Sequence, residues 1–215
     1  GYMDKLKEGL SILTPEDTLV LCGDLSWALG LENAREDFAW INEIPGRKII
    51  LKGNHDYWWS TASKFYKFCE QHGFTDQLIL NNNCYEYGDW AICGTRGWFF
   101  EEEKSGEHDT KVFRRELCRL EASLKAAGEK EKLVFLHYPP RYKGYECKEI
   151  LDLLEKYEVR RCGARWSKGE ARAGGDQRLS SAARHGHCAR QRAGSAGRGQ
   201  SVPVRTEILA QKSYA

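Results

Sequence analysis

The sequence predicts an α/β domain whose sheet is covered on both faces. Short, continuously apolar segments such as RKIILKG at 47–53 and KLVFLHY at 132–138 are typical of buried strands. They alternate along the chain with segments of helical periodicity, and this order favours an α/β fold. The 215 residues are enough for one domain of ordinary size with its own hydrophobic core.

The first elements follow from periodicity and from turn residues. Residues 3–12 have helical spacing, and Pro15 prevents that helix from continuing into the short strand predicted from Thr18 to Cys22. A second helix is predicted over residues 31–44, where large apolar side chains fall on one helical face. A Pro-Gly turn at 45–46 ends it, and the apolar strand at 47–53 comes next.

The later elements continue the alternation. Helical spacing runs from Trp58 to His72, and Gly73 is a residue type that commonly ends helices. Two short strands then flank a Gly88-Asp89 turn, which predicts a hairpin. A charged helix, a third buried strand and a last helix are predicted at 107–127, 132–138 and 148–157.

The pattern changes after Cys162. Residues 163–215 are a basic Gly/Ala/Arg-rich tail with ten basic and three acidic residues, whereas residues 1–162 hold 23 basic and 28 acidic residues. So few large apolar groups cannot offset the entropy of ordering the backbone, and we expect the tail to be disordered or non-native. An out-of-frame ending is one interpretation, which the gene sequence around codon 162 would test. The tail's arginines would attract nucleic acid only non-specifically.

Composition also bounds the location of the protein. No apolar run approaches the ~18 residues that cross a membrane, so we predict no membrane contact. The first residues, GYMDKLKEGL, lack the apolar core of a secretory signal, and the eight cysteines show no C-x-x-C pair. We therefore predict a cytoplasmic protein with reduced cysteines.

Polar side chains follow three of the apolar strands. LVLCGD ends at Asp24, IILKGNHD contains Asn54 and His55, and LVFLHYPP contains His137. In open α/β sheets, ligands bind beyond the carboxyl ends of strands, so these side chains are expected to meet at one site. Their oxygen and nitrogen donors suit Mn²⁺, Fe²⁺ or Zn²⁺. Two such ions can activate water for hydrolysis of a phosphate-ester substrate.

These motifs resemble those of the calcineurin-like metallophosphoesterase family. Gly23-Asp24, the GNHD at 53–56 and His137 match three members of the family series D-x-H, G-D, G-N-H-D/E, H and G-H-x-H. The resemblance implies an αββα sandwich and hydrolysis of phosphate esters by a metal-activated water at a dinuclear centre. It covers residues 1–162, which we predict to form the domain.

The resemblance implies a role for each matched residue. Asp24 corresponds to the carboxylate that bridges both metals, and Asn54 and His137 correspond to ligands of the second metal. His55 corresponds to the residue that contacts the phosphate and protonates the leaving group. Asp56 would orient His55 by a hydrogen bond to its ring, so His55 and Asp56 are the predicted catalytic pair.

Two family motifs have no counterpart in the expected places. No D-x-H precedes Asp24, and GARWSKG follows the predicted strand VRRC where G-H-x-H is expected. The later Gly186-His187 lacks a second histidine and a preceding strand. We therefore expect an incomplete sandwich that binds at most one metal well and hydrolyses phosphate esters poorly.

Two further residues are candidates for substrate contact. Trp27, in the loop after Asp24, could line the site, while Trp58 is expected to pack in the core. Arg96 in GTRGW could contact phosphate through both of its terminal nitrogens, although a structural salt bridge is an equal alternative. The alternative to an enzyme is a non-catalytic phosphate- or nucleic-acid-binding protein with a basic tail. The sequence does not predict an oligomeric state.

Overall fold

The computed structural model describes residues 1–99, 107–142 and 144–164, together with two short strands at 177–178 and 204–205. The helices are α1 (Tyr2–Leu10), α2 (Arg35–Asn42), α3 (Ala62–His72), α4 (Glu107–Ala126) and α5 (Lys148–Lys156), and a 3-10 helix (Glu32–Ala34) precedes α2. The strands are β1 (Thr18–Leu21), β2 (Arg47–Ile50), β3 (Gln77–Ile79), β4 (Tyr85–Tyr87), β5 (Trp90–Thr95), β6 (Glu131–Leu136), β7 (Arg141–Tyr142), β8 (Tyr145–Glu146), β9 (Arg161–Ala164), β10 (Gln177–Arg178) and β11 (Val204–Arg205).

The strands form two main sheets and a small hairpin. The first sheet has the order β11-β1-β2-β3, and all of its pairs are parallel. The second has the order β10-β9-β6-β5-β4, with parallel pairs in the centre and an antiparallel pair at each edge. Strands β7 and β8 pair only with each other among these strands. The chain therefore completes most of the first sheet before it enters the second.

Alternating side chains along the strands divide the core into three apolar layers. One layer packs β1, β2 and β3 against the first three helices around Phe38, which is fully buried. A second packs β5, β6 and β9 against α4 and α5 around Leu120. The layer between the sheets contains Val20 and Ile49 from one sheet and Phe135 from the other. The result is a four-layer αββα sandwich, as predicted.

Most of the predicted elements are present. The Gly88-Asp89 turn joins β4 to β5, and Gly73 ends α3 in the left-handed region, with φ of 68°. The helix predicted from Trp58 is shorter than expected, because the Thr61 side chain accepts a hydrogen bond from the Lys64 N–H and so starts α3 at Ala62. Three strands, β3, β7 and β8, have too few residues to give a periodic signal in the sequence.

The prediction that residues 163–215 are disordered or non-native lies almost wholly outside the described residues and stays a prediction. Strand β9 continues through Ala164, two residues beyond the predicted domain boundary at Cys162.

Among the described residues, no helix combines the length and apolar character needed to span a bilayer. The predicted cytoplasmic location stays a prediction. The seven cysteines in the described part of the chain are free.

Gly94 is a position where the sandwich leaves no room for a side chain. A Cβ there would lie 2.1 Å from the Phe135 carbonyl oxygen and 3.1 Å from Leu51 Cδ2. Gly94→Ala should therefore lower the free energy of unfolding by at least about 2 kcal/mol through overpacking. Gly88→Ala is the control, since φ of 56° there costs about 1 kcal/mol but nothing lies within 4 Å. Urea unfolding compares the two, and equal losses would contradict the packing argument.

Candidate metal centre

The three strand-end side chains predicted to meet do meet. Asp24 follows β1, Asn54 follows β2 and His137 follows β6, so both sheets contribute to one site. His137 Nε2 lies 2.7 Å from Asn54 Oδ1 and 3.7 Å from Asp24 Oδ2. Asp24 and His137 are each only 4% exposed, whereas Asn54 is partly exposed at the rim.

The loops after β1 and β2 approach so closely that both need glycine. A Cβ on Gly23, where φ is 88°, would lie 2.4 Å from the Gly53 nitrogen, and a Cβ on Gly53 would lie 2.1 Å from Asp24 Oδ1. Asp24 itself has φ of 55°, a region that few residues other than glycine adopt, though aspartate does so more than most. The Gly-Asp and Gly-Asn pairs therefore fix where the Asp24 carboxylate points.

Asp56 holds the two loops together. Its carboxylate is 1% exposed and accepts hydrogen bonds from both loops and from one indole. Burial raises the pKa of the Asp56 carboxyl, and backbone hydrogen bonds from Gly53, Asp24 and Leu25 oppose this effect. The donors are the N–H groups of Asp24 (2.7 Å), Leu25 (2.8 Å), Ser26 (3.5 Å) and Gly53 (2.6 Å) and the indole N–H of Trp58 (2.9 Å).

These contacts correct the predicted role of Asp56. Among the described residues, the His55 ring nitrogen Nδ1 pairs with the Tyr57 hydroxyl at 3.1 Å, not with Asp56. The physical reason is that both Asp56 oxygens already face backbone and indole donors in the interior, while the His55 ring is turned toward the surface. Asp56 therefore contacts the two loops that carry Asp24 and Asn54, and not the imidazole.

The His55 ring is fixed by three neighbours. Its backbone N–H donates to Asp24 Oδ1 at 2.8 Å, which places the residue beside the ligand cluster. The ring stacks on the Trp27 indole, with centroids 4.5 Å apart and planes 7° apart. The Tyr57 ring meets it edge-on, with centroids 6.0 Å apart. The structure thus places Trp27 at the site, and it places Trp58 in the core, where its side chain is 2% exposed.

The donor set fits a divalent cation. His137 Nδ1 lies 2.7 Å from the Cys22 carbonyl oxygen, which can only accept, so Nδ1 carries the proton. In the neutral ring, Nε2 is then a lone pair that faces the amide oxygen of Asn54 and the carboxylate of Asp24. Three lone-pair atoms that converge in this way need a cation or a proton between them, and carboxylate, amide and imidazole are ligands of borderline divalent ions.

The described residues supply these ligands for one ion. No group of three or more His, Cys, Asp and Glu side chains gathers at one point within the described ranges. An ion held by Asp24 and His137 would therefore need the Asn54 amide as its third ligand.

Arg96 takes part in an ion pair, and its predicted contact with phosphate stays a prediction. One of its terminal nitrogens lies 3.7 Å from Glu116 Oε1, and its guanidinium stands 5.5 Å from the centre of the Trp98 ring. Glu116 is buried and also contacts Arg119 at 2.6 Å. Arg96, the first residue after β5, is thus part of an ion-pair cluster with Glu116 and Arg119 of α4.

Two residues near the site were missed by the sequence predictions. Lys52 immediately precedes the Gly53-Asn54 pair, and burial, then repulsion from Arg96 and Arg119, lowers the pKa of its ammonium. Its position shortly after β2, where ligand-binding residues collect in such sheets, could have identified it. Tyr57 gave no signal, because an aromatic residue before two tryptophans is indistinguishable from core sequence.

The αββα fold, with polar residues gathered at the strand ends, defines a metallophosphoesterase-type domain. The sequence model of the calcineurin-like phosphoesterase family matches residues 1–163. The chain belongs to this family, which supports phosphoester hydrolysis as its general chemistry. A search of curated proteins finds no match.

Asp56 acts as a clamp, because its carboxylate accepts hydrogen bonds from the loops after β1 and β2, and this role can be tested. Asp56→Asn would turn an amide N–H₂ toward the N–H groups of either loop, so we expect a loss of about 3 kcal/mol in the free energy of unfolding. Asp152→Asn is the control, because Asp152 is exposed on α5 and should change stability by less than about 0.5 kcal/mol. Denaturant unfolding measures both, and a loss for Asp56→Asn as small as the control's would contradict the clamp.

Proposed function

We propose that this chain hydrolyses phosphate esters with a divalent metal ion held by Asp24, Asn54 and His137. The observation that carries the proposal is the convergence of the His137 Nε2 lone pair on Asn54 Oδ1 at 2.7 Å beside the buried Asp24. Manganese, iron and zinc all suit this donor set. A divalent ion there would act as a Lewis acid toward a phosphoryl oxygen and lower the pKa of water.

The chain's own residues orient the reaction. The Cys22 carbonyl keeps the proton of His137 on Nδ1 and so reserves Nε2 for the ion. The Gly23 and Gly53 loops hold the Asp24 carboxylate in place, and the Asp56 carboxylate binds these loops to each other. These contacts order the three side chains before an ion binds, which favours catalysis by preorganisation.

His55 is the proposed general acid. Its ring is partly exposed beside Asp24 and can reach a leaving-group oxygen, whereas Trp27 and Tyr57 restrict its rotation. In the imidazolium form that a general acid needs, Nδ1–H donates to the Tyr57 hydroxyl oxygen and Nε2–H is available to the leaving group, so that neutral imidazole remains after the transfer. Tyr57 then performs the orienting role that the sequence assigned to Asp56.

We further propose that this polypeptide binds one ion well and turns over slowly. The support is the number of candidate ligands. Among the described residues, Asp24 is the one proposed ligand that could also bind a second ion. Family-type hydrolysis uses a dinuclear centre, so a single ion would stabilise less of the developing charge in phosphoryl transfer.

Metal stoichiometry tests the ligand assignment. Titration with Mn²⁺, followed by calorimetry, should show one tight site, and His137→Ala should weaken it by at least about tenfold because an inner ligand is lost. His72→Ala is the matched control, since His72 pairs with Glu32 on the surface away from the site. Two tight sites in the parent chain, or an unchanged site in His137→Ala, would contradict the assignment.

Leaving-group dependence tests His55. Phenol is a poorer leaving group than 4-nitrophenol and needs more protonation, so His55→Asn should slow hydrolysis of phenyl phosphate by ~10² or more. It should slow hydrolysis of 4-nitrophenyl phosphate much less. Equal losses on the two esters would exclude His55 as the general acid. Phosphate binding without any hydrolysis in the parent chain would instead favour the non-catalytic alternative.

A further inference from the structure

Trp27 presents an aromatic surface beside the proposed metal site. One face of its indole stacks on the His55 imidazole, yet the residue remains 55% exposed. Within the described part of the chain, no second ring packs against Trp27. A large aromatic side chain is fixed in orientation here and still leaves much of its ring in water.

The setting of Trp27 differs from that of the neighbouring tryptophan in the core. Trp58 is 2% exposed and donates its indole N–H to Asp56, so its ring is buried in the core and is not accessible to a ligand. Trp27 lies in the loop after Asp24, and the Tyr57 ring, 54% exposed, meets the His55 ring edge-on. The His55 ring therefore has an aromatic neighbour on one face and another at its edge, and its backbone N–H binds Asp24.

We propose that the open face of Trp27 binds the base of a nucleoside monophosphate whose phosphate occupies the Asp24–Asn54–His137 site. This inference rests on the proposed function and names its substrate class. Stacking on an aromatic side chain accepts any base, because every base has a π-face.

The order of the rings favours a nucleotide over a simple aryl phosphate. His55, which contacts the leaving group, covers the inner face of Trp27, so a ligand ring on the outer face lies roughly 9 Å from the imidazole by ordinary stacking distances. A ring bonded directly to the ester oxygen would lie nearer the phosphate than that. A sugar between phosphate and base spans the gap.

The test compares two ligands that differ only in the base. Calorimetric titration of the Mn²⁺-loaded chain should give roughly tenfold tighter binding of adenosine 5′-monophosphate than of ribose 5-phosphate, from the usual contribution of one base stack. Trp27→Ala should remove that preference, so that adenosine 5′-monophosphate binds this variant no more tightly than ribose 5-phosphate does. Trp27→Phe should keep part of it, since a smaller ring still stacks.

Leu29→Ala is the matched control. Leu29 is 83% exposed in the same loop but has no ring, so its removal should leave the tenfold preference intact. Loss of the preference in this variant, or its survival in Trp27→Ala, would overturn the assignment to Trp27.

The same titrations separate this inference from the proposed function. If ribose 5-phosphate binds and adenosine 5′-monophosphate binds no more tightly, the base subsite is wrong while the phosphate site stands. If neither ligand nor inorganic phosphate binds the Mn²⁺-loaded chain, the proposed function is wrong and the base subsite falls with it.

Discussion

The buried carboxylate of Asp56 is the interaction on which the site depends. It accepts hydrogen bonds from the loop after β1 and from the loop after β2, and those loops carry Asp24 and Asn54. A fully buried carboxylate costs several kcal/mol unless its lone pairs are satisfied, and here the polar backbone of two tight loops satisfies them. The same contacts supply the N–H groups of those loops with partners. The same hydrogen bonds therefore fix the geometry of the site and stabilise the two loops.

His137 extends this network across the sandwich. The residue follows β6 in the second sheet, but its ring donates to the Cys22 carbonyl of the first sheet and faces Asn54. The relative position of the ligands therefore depends on the packing of Val20, Ile49 and Phe135 between the sheets. This explains how the side chains of Asp24 and His137, which are more than a hundred residues apart in the sequence, come within 3.7 Å of each other.

Strand-end position and residue chemistry are local properties, and from them the sequence predicted an α/β domain and the meeting of Asp24, Asn54 and His137. The sandwich was expected only from the resemblance to a known family. The sequence could not predict the partner of Asp56, since that carboxylate binds backbone N–H groups whose positions exist only after the two loops approach each other. The short strands β3, β7 and β8 are held by pairing and packing, which leave no period in so few residues. The sequence could not show that Arg96 lies beside Glu116, because the two residues are brought together only when α4 packs on the sheet.

Asp24, Asn54 and His137 are proposed to hold one divalent ion. Anomalous diffraction from crystals soaked in Mn²⁺, collected at the manganese edge, would locate that ion. We expect one strong peak within roughly 2.0–2.3 Å of a carboxylate oxygen of Asp24, Oδ1 of Asn54 and Nε2 of His137, as ordinary metal–ligand distances require. A peak bound by other residues, or an ordered and metal-free His137–Asn54 contact at saturating Mn²⁺, would contradict the account.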